Sequence, residues 1–151
     1  MNKTSAAKVY TILNKLMRRH YRTYPLIMLD VFIRELREAG QKAIMEDAEF
    51  PIEFFYEMCN AVIRWFMKGY PGLTENRIGP MLQAVWAFHK ECMDRPNFTD
   101  ADMDYLVDRG NILVGAIEQP DERALYTAVL HEYDRASKRS EQSLPNSGVK
   151  E

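Results

Sequence analysis

Four residues of this 151-residue chain have side chains from which metal and nucleophilic sites are built: Cys59, His89, Cys92 and His131. Zinc requires thiolate or neutral imidazole ligands, which proteins usually supply from closely spaced pairs such as C-x-x-C. No such pair occurs, and only His89 and Cys92 lie one helical turn apart. The pattern therefore predicts no metal site and no other cofactor, and it favours the two cysteines as small core residues.

His89 is the most informative single residue, because it lies in an apolar segment between Val85 and Met93. We favour a core histidine that is hydrogen-bonded to a neighbouring group, since buried polar groups are usually paired. The alternative is a small-molecule pocket or enzyme site formed by His89, Cys92 and Trp86, in which the imidazole acts as a base or a pH-sensitive contact. This alternative requires a cavity at His89, and a fully packed core there would exclude it.

Sequence motifs of catalysis are missing. The chain contains no phosphate-binding loop, dinucleotide-binding loop, nucleophile elbow or zinc-protease motif. No catalytic residue is predicted, and an enzyme is the less favoured interpretation.

A basic stripe is the strongest candidate for a binding surface. Residues 1–22 contain six lysines and arginines and no acid, whereas residues 94–134 contain ten acids and three arginines. Such a stripe can contact nucleic-acid phosphates, an anionic membrane surface or an acidic protein surface, and it can also be a solvated face. Five cations share one side of the first predicted helix: Lys8, Lys15, Arg18, Arg19 and Arg22.

The elements that must position these residues are helices. Helix-breaking residues divide the chain into about six segments with helical rather than alternating periodicity, so we predict an all-α, single-domain bundle of five to six helices. This domain covers residues 1–136, and a disordered polar tail covers 137–151. The predicted helices run from about 5 to 20, 25 to 40, 51 to 68, 78 to 93, 99 to 117 and 120 to 135.

Three helical features carry further predictions. The third helix has a polar stripe of only about 80°, so it is either central to the fold or presents an apolar face to another molecule, and we expect it to form a hairpin with the fourth. The apolar stripe of the fifth helix includes Gly110, which predicts that another helix packs closely there. In the connection 69–73, Pro71-Gly72 suits a type II turn, and we interpret Tyr70 and Leu73 as an interface loop.

Together these features favour a non-enzymatic protein-binding module such as an adaptor, an inhibitor or an assembly factor. Small accessory proteins of phages and mobile elements often have this character. We expect a protein partner or a homodimer, since helices two to four carry more apolar surface than one monomer needs. Nucleic-acid binding through the basic helix is the alternative, and a pocket or enzyme site at His89 is the second alternative. No signal peptide or membrane span is predicted, and the two cysteines suggest a cytoplasmic location.

Overall fold

The structure is a computed structural model that describes residues 2–22 and 28–142, and this part of the chain forms six α-helices and no strand. The predicted all-α bundle is therefore confirmed. The helices are α1 (Lys3–Arg22), α2 (Leu29–Glu46), α3 (Ile52–Met67), α4 (Glu75–Met93), α5 (Asp100–Val114) and α6 (Pro120–Gln142). None of these described helices is both long enough and apolar enough to cross a membrane.

Helix α2 does not end at Gly40, so that predicted boundary is wrong. The helix continues to Glu46, and Gly40 lies buried in its middle. A Cβ atom at Gly40 would lie 2.6 Å from Cε2 of Phe55, which is closer than real Cβ contacts come. The glycine is therefore needed where α2 crosses α3 and does not act as a helix terminator. The predicted start of this helix, near Pro25, lies outside the described residues.

Helix α6 continues seven residues beyond its predicted end at 135. Ion pairs along the helix explain the extension: Arg135 and Arg139 both donate to Glu132, at 2.9 and 3.0 Å, and Lys138 Nζ lies 3.0 Å from Asp134. Such pairs at helical spacing stabilise polar helical segments. Residues 137–142 of the predicted disordered tail are thus helical, and residues 143–151 lie outside the described part of the chain.

Helix α3 occupies the centre of the bundle, which is one of the two alternatives that its narrow polar stripe predicts. It packs most extensively against α6 and also contacts α2 and α1. Its fully buried side chains include Phe54, Phe55, Met58 and Trp65. The predicted hairpin of α3 with α4 is wrong, because α4 packs mainly against α1 and α6, and α6 takes the place beside α3.

Helix α5 lies on the outside of the bundle and packs against α6. Thr99 caps its first turn, since the Thr99 hydroxyl accepts a hydrogen bond from the Asp102 amide at 3.0 Å. Gly110 is buried where α5 meets other helices, as predicted, but a Cβ there would lie 3.4 Å from Phe88 and 3.5 Å from Leu130. These are ordinary contact distances, so the packing at Gly110 leaves room for an alanine.

Candidate functional site

A cleft of about 730 Å³ opens at the end of the bundle where α1 and α3 begin and where α2 and α4 end. The last turns of α6 form another wall. A cleft of this size is in the usual range for sites that bind small organic molecules. Much of its lining is apolar and includes Ile44, Phe50, Pro51, Ile52, Met93, Pro96 and Phe98.

His89 forms part of the wall of this cleft, although its side chain is only 1% exposed. Its Nδ1 atom lies 2.9 Å from the hydroxyl oxygen of Tyr10 on α1. The edges of Phe54 and Trp86 enclose the ring, with ring-centre distances of 4.8 and 5.5 Å. The other nitrogen, Nε2, is buried without a hydrogen-bond partner among the described residues. The predicted core histidine and the predicted pocket histidine therefore coincide in one residue.

Burial determines the charge state of this pair. It lowers the pKa of His89 to about 4, so the imidazole is neutral at physiological pH. Burial also raises the pKa of Tyr10 well above its usual value, and the nearby Cys92 and Tyr126 raise it further. The cleft thus contains a neutral imidazole that is bonded to a protonated phenol.

Of the three predicted pocket residues, the structure brings His89 and Cys92 to the cleft, and Trp86 lies outside its lining. Burial, and secondarily the charge of Glu91, raises the pKa of the Cys92 thiol to about 12. The thiol is therefore protonated and a poor nucleophile near neutral pH. Trp86 packs against Tyr10, with ring centres 5.1 Å apart, and supports the pair from its other side.

One wall residue, Phe98, has a strained backbone. Its φ angle is +53°, in the left-handed region that bulky residues rarely adopt. Its ring packs against Tyr133 at a centre distance of 5.1 Å, and the Tyr133 hydroxyl donates to the Arg95 carbonyl oxygen at 2.9 Å. These contacts hold the α4–α5 connection against the cleft. Strained residues that are held in this way are concentrated at binding sites.

Three charged residues of the cleft lining are paired within the chain, whereas the exposed Glu49 and Glu53 of the same lining have no ion pair among the described residues. Glu132 is almost fully buried and accepts hydrogen bonds from Arg135 and Arg139. Arg95 donates to Asp102 at 3.0 Å, and its guanidinium lies 3.9 Å from the ring centre of Tyr105. The cleft therefore has a mixed lining, with polar and apolar surface in similar amounts.

The predicted basic stripe lies along α1, and three of its five cations have acidic partners. Lys8 lies 2.9 Å from Asp47, Arg19 lies 3.3 Å from Glu35, and Arg22 lies 2.6 Å from Glu75. Hydrogen bonds from the Ser5 hydroxyl and from Lys8 lower the pKa of Asp47 to about 2.

The other two cations of the stripe are Lys15 and Arg18. Both are exposed, and Arg18 donates to Asn14 at 3.2 Å. The three ion pairs reduce the positive charge that α1 can offer to a phosphate backbone.

The predicted interface loop does not form a surface. Tyr70 and Leu73 are only 3% and 4% exposed. The type II turn at Pro71-Gly72 does form, with φ +76° at Gly72 and the Leu73 amide donating to the Tyr70 carbonyl at 3.0 Å. The positive φ of Tyr70 accompanies an inward side chain that stacks on Tyr21, with ring centres 5.5 Å apart. Burial of these two side chains in the core leaves no apolar loop at this position.

The four candidate metal ligands do not form a cluster. Within residues 2–22 and 28–142, no group of three His, Cys, Asp or Glu side chains is arranged to hold a metal ion. His131 is exposed on α6 and pairs with Glu57, whereas Cys59 and Cys92 are both buried free thiols. Sequence reasoning found two cleft residues and missed Phe50, Phe98, Arg95, Glu132 and Arg139, which give no local signal because distant segments bring them together.

No protein-family model, curated protein or solved structure matches this chain. Its function must therefore be inferred from the cleft and the surfaces themselves.

Proposed function

We propose that this chain is a non-enzymatic binding protein, and that its ligand is a small organic molecule that occupies the cleft beside His89. One observation carries the proposal: a fully buried imidazole with one unpartnered nitrogen forms part of the wall of a cleft of about 730 Å³. Native proteins rarely leave a buried polar group unpaired, and such groups are often functional. The strained Phe98 in the same wall is a second feature that is frequent at binding sites.

The chemistry of the cleft supports binding rather than catalysis. A nucleophile requires an activating base or a lowered pKa, whereas burial raises the pKa of the Cys92 thiol. Among the described residues, the one hydrogen-bond partner of His89 is Tyr10, so within this part of the chain no carboxylate orients the imidazole as in a catalytic triad.

A fragment screen by nuclear magnetic resonance tests this proposal. Ala48 is an exposed residue at the mouth of the cleft, and Ala48→Trp adds bulk there. Ala116→Trp is a matched control, because Ala116 is also exposed and lies outside the cleft lining. We expect fragments to shift the amide signals of Phe50 and Phe98, and Ala48→Trp alone to weaken these shifts. Fragments that bind only elsewhere, or no binding at all, would contradict the proposal.

A second candidate function, contact with another protein, is supported by the outer face of α3. Tyr56 is 39% exposed and Met67 is 51% exposed, although both lie on the central helix of the bundle. With the exposed Asn60 and the half-buried Ile63 they occupy an arc of roughly 60°. We call these four residues the α3 strip. Aromatic residues and methionine are enriched at protein interfaces, so the strip agrees with the protein partner or homodimer that the sequence predicts.

Site-specific photo-crosslinking tests the second candidate. A photoreactive phenylalanine analogue replaces Tyr56 in the α3 strip, and the same analogue replaces the exposed Gln83 of α4 as a control. We expect a discrete adduct, either with a second copy of the chain or with one other protein, at position 56 only. Equal labelling at both positions, or none at 56, would count against a protein-binding role for the strip.

A further inference from the structure

We infer that copies of this chain associate head to tail, with the outer face of α5 in one copy against a groove between α1 and α2 in the next. Opposite charges and adjoining apolar surface on these two faces carry the inference. The contact uses neither the cleft nor the α3 strip, so it goes beyond the functions proposed above.

Helix α5 leaves much of its apolar surface in solvent. Only Leu106 and Gly110 of this helix are buried. In the described part of the chain six large hydrophobic side chains are exposed, and three of them belong to α5: Tyr105, Val107 and Ile112, which is 71% exposed. A cluster of exposed apolar side chains on one element is typical of a surface that contacts another molecule.

An acidic ridge runs along the same outer face. Asp100, Asp104 and Asp108 lie on successive turns, within an arc of roughly 80°, and all three are exposed. None of them has an ion pair among the described residues, whereas the neighbouring Asp102 is paired with Arg95. Like charges four residues apart destabilise a helix, and the helix dipole compensates this only in the first turn. The stability of α5 therefore does not explain the ridge.

The outer face of α5 has a defined order across the helix. Tyr105 and Ile112 lie on one side of the acidic ridge, and Val107 lies on the other side. We call these six residues the α5 face: Asp100, Asp104, Tyr105, Val107, Asp108 and Ile112. The α5 face thus presents negative charge directly beside apolar surface.

The complementary surface is a groove of about 600 Å³ between α1 and α2. Lys15 lies on the α1 rim of the groove, and Arg18 follows one turn later, outside the lining. Both are exposed and have no ion pair among the described residues. Most of the groove surface is apolar, and it includes Ile12, Leu16, Ala39 and Ala43.

The two surfaces match in charge and in order. On α1 the cations lie beside an apolar groove, and on α5 the aspartates lie beside exposed apolar side chains. When the acidic ridge contacts Lys15 and Arg18, Tyr105 and Ile112 therefore lie over the groove. The charges attract each other and the apolar side chains leave water.

Charges on the α2 rim of the groove determine the orientation. This rim carries the exposed Glu38, Lys42 and Glu46, so acids outnumber cations there. The α1 rim contributes no acid, and its other two cations, Lys8 and Arg19, are paired within the chain. The acidic ridge is repelled by the α2 rim and attracted by the α1 rim, so it lies towards α1.

A second copy of the chain supplies the matching surface. Within one chain α5 packs against α6 with its inner side, so its outer face can meet an α1 helix only in another copy. Such a contact joins two different surfaces, and it therefore produces open chains or closed rings of copies.

Small-angle X-ray scattering of the full chain, from micromolar to millimolar concentration, tests the contact. We expect the average mass to rise with concentration, and the rise to weaken at high salt, because exposed charges are screened. Two variants each reverse one face: Asp104→Lys with Asp108→Lys on α5, and Lys15→Glu with Arg18→Glu on α1. Each variant should associate at least about tenfold more weakly, since like charges then face each other.

An equimolar mixture of the two variants gives the sharpest result. The reversed α5 of the first variant then faces the reversed α1 of the second, and the two unchanged faces also meet. We expect the mixture to regain the association that neither variant shows alone. A control, Glu49→Lys with Glu141→Lys, reverses two exposed acids outside both surfaces and should associate like the unchanged chain.

Several results would overturn the inference. A chain that stays monomeric at millimolar concentration has no such contact. Association that either variant keeps, or that the mixture does not restore, uses another surface or another partner. If a variant does not fold, amide signals of the unchanged chain decide: those of Ile12 and Ile112 should shift together as the concentration rises, and shifts confined to other surfaces contradict the contact.

Discussion

At the scale of single residues, the hydrogen-bonded pair of Tyr10 and His89 links stability to the candidate site. The neutral ring is buried among Phe54, Trp86 and Tyr10, and its one hydrogen bond within the described part of the chain uses Nδ1. Sequence reasoning could predict that His89 is buried, because the residues around it are apolar. It could not predict which nitrogen is bonded, because Tyr10 lies 79 residues away on α1.

We predict that acid weakens the fold through His89. In the folded chain its pKa is about 4, and the ordinary value is 6.5, so the unfolded chain binds the proton more readily. Stability is retained above pH 6.5 and falls as the pH decreases towards 4, by up to about 3 kcal/mol. Urea unfolding at pH 7, 5.5 and 4 measures the change. A Tyr10→Phe, His89→Phe double variant with the same pH dependence would show that another group causes it.

Asp47 affects the stability of the fold at lower pH than His89 does. Its pKa is lowered to about 2 by the Ser5 hydroxyl and by Lys8, so the stability that it contributes is present above its ordinary pKa of 3.8 and is lost as the pH falls through 2. We expect Asp47→Asn to leave the pH dependence between 6.5 and 4 unchanged. The same urea titrations measure this, and a change in that range would contradict the assignment to His89.

We also predict that His89→Phe alone destabilises the chain more than the double variant does. The single change leaves the buried Tyr10 hydroxyl without its acceptor, which costs about 1–3 kcal/mol. The double variant removes both polar groups, including the unpartnered Nε2. Denaturant midpoints of the two variants measure the difference, and a double variant that is less stable than the single one would refute this explanation.

At the scale of helices, two glycines show what sequence reasoning can and cannot predict. For Gly40 the sequence suggests a helix terminator, and for Gly110, within an apolar stripe, it suggests a close helix contact. The structure places both glycines buried inside helices; Phe55 crowds Gly40, whereas a methyl group at Gly110 would make ordinary contacts with neighbouring side chains. The side chain that faces each glycine decides whether a methyl group fits, and that side chain belongs to another helix, so the local sequence does not reveal it.

We therefore predict opposite effects of alanine at these two positions. Gly110→Ala should stabilise the chain by about 0.5–1 kcal/mol, because alanine is the better helix former and its methyl group fits. Gly40→Ala should destabilise it by about 1–3 kcal/mol, because the methyl group overlaps Phe55. Thermal and urea unfolding measure both effects. Stabilisation by Gly40→Ala would show that α2 and α3 are not as close as described.

For the basic stripe of α1 we predict weak nucleic-acid binding. Lys8, Arg19 and Arg22 are paired with acids of the same chain, so few counterions are available for release on contact with phosphates. A short DNA duplex should show no saturable binding near physiological salt. Fluorescence anisotropy at low and physiological salt measures this. Tight binding with a steep salt dependence, lost in an Arg18→Glu, Arg19→Glu double variant, would restore the nucleic-acid alternative.

At the scale of the whole molecule, the cleft depends on a topology that the sequence does not specify. Helix periodicity predicts the number of helices and most of their boundaries. Periodicity does not say which helices are neighbours. In place of the expected hairpin of α3 with α4, helix α6 packs against α3, α4 and the outer helix α5. Since the ends of α2, α4 and α6 form the cleft together, its full lining could only be identified from the structure.

Crystals of the full chain soaked with small organic fragments test the central claim, that the cleft binds a small molecule beside His89, most directly. We predict that fragments collect in the cleft in contact with Phe50 and Phe98. A cleft that stays unoccupied while fragments bind to other surfaces, or that closes around its own side chains, would contradict the claim.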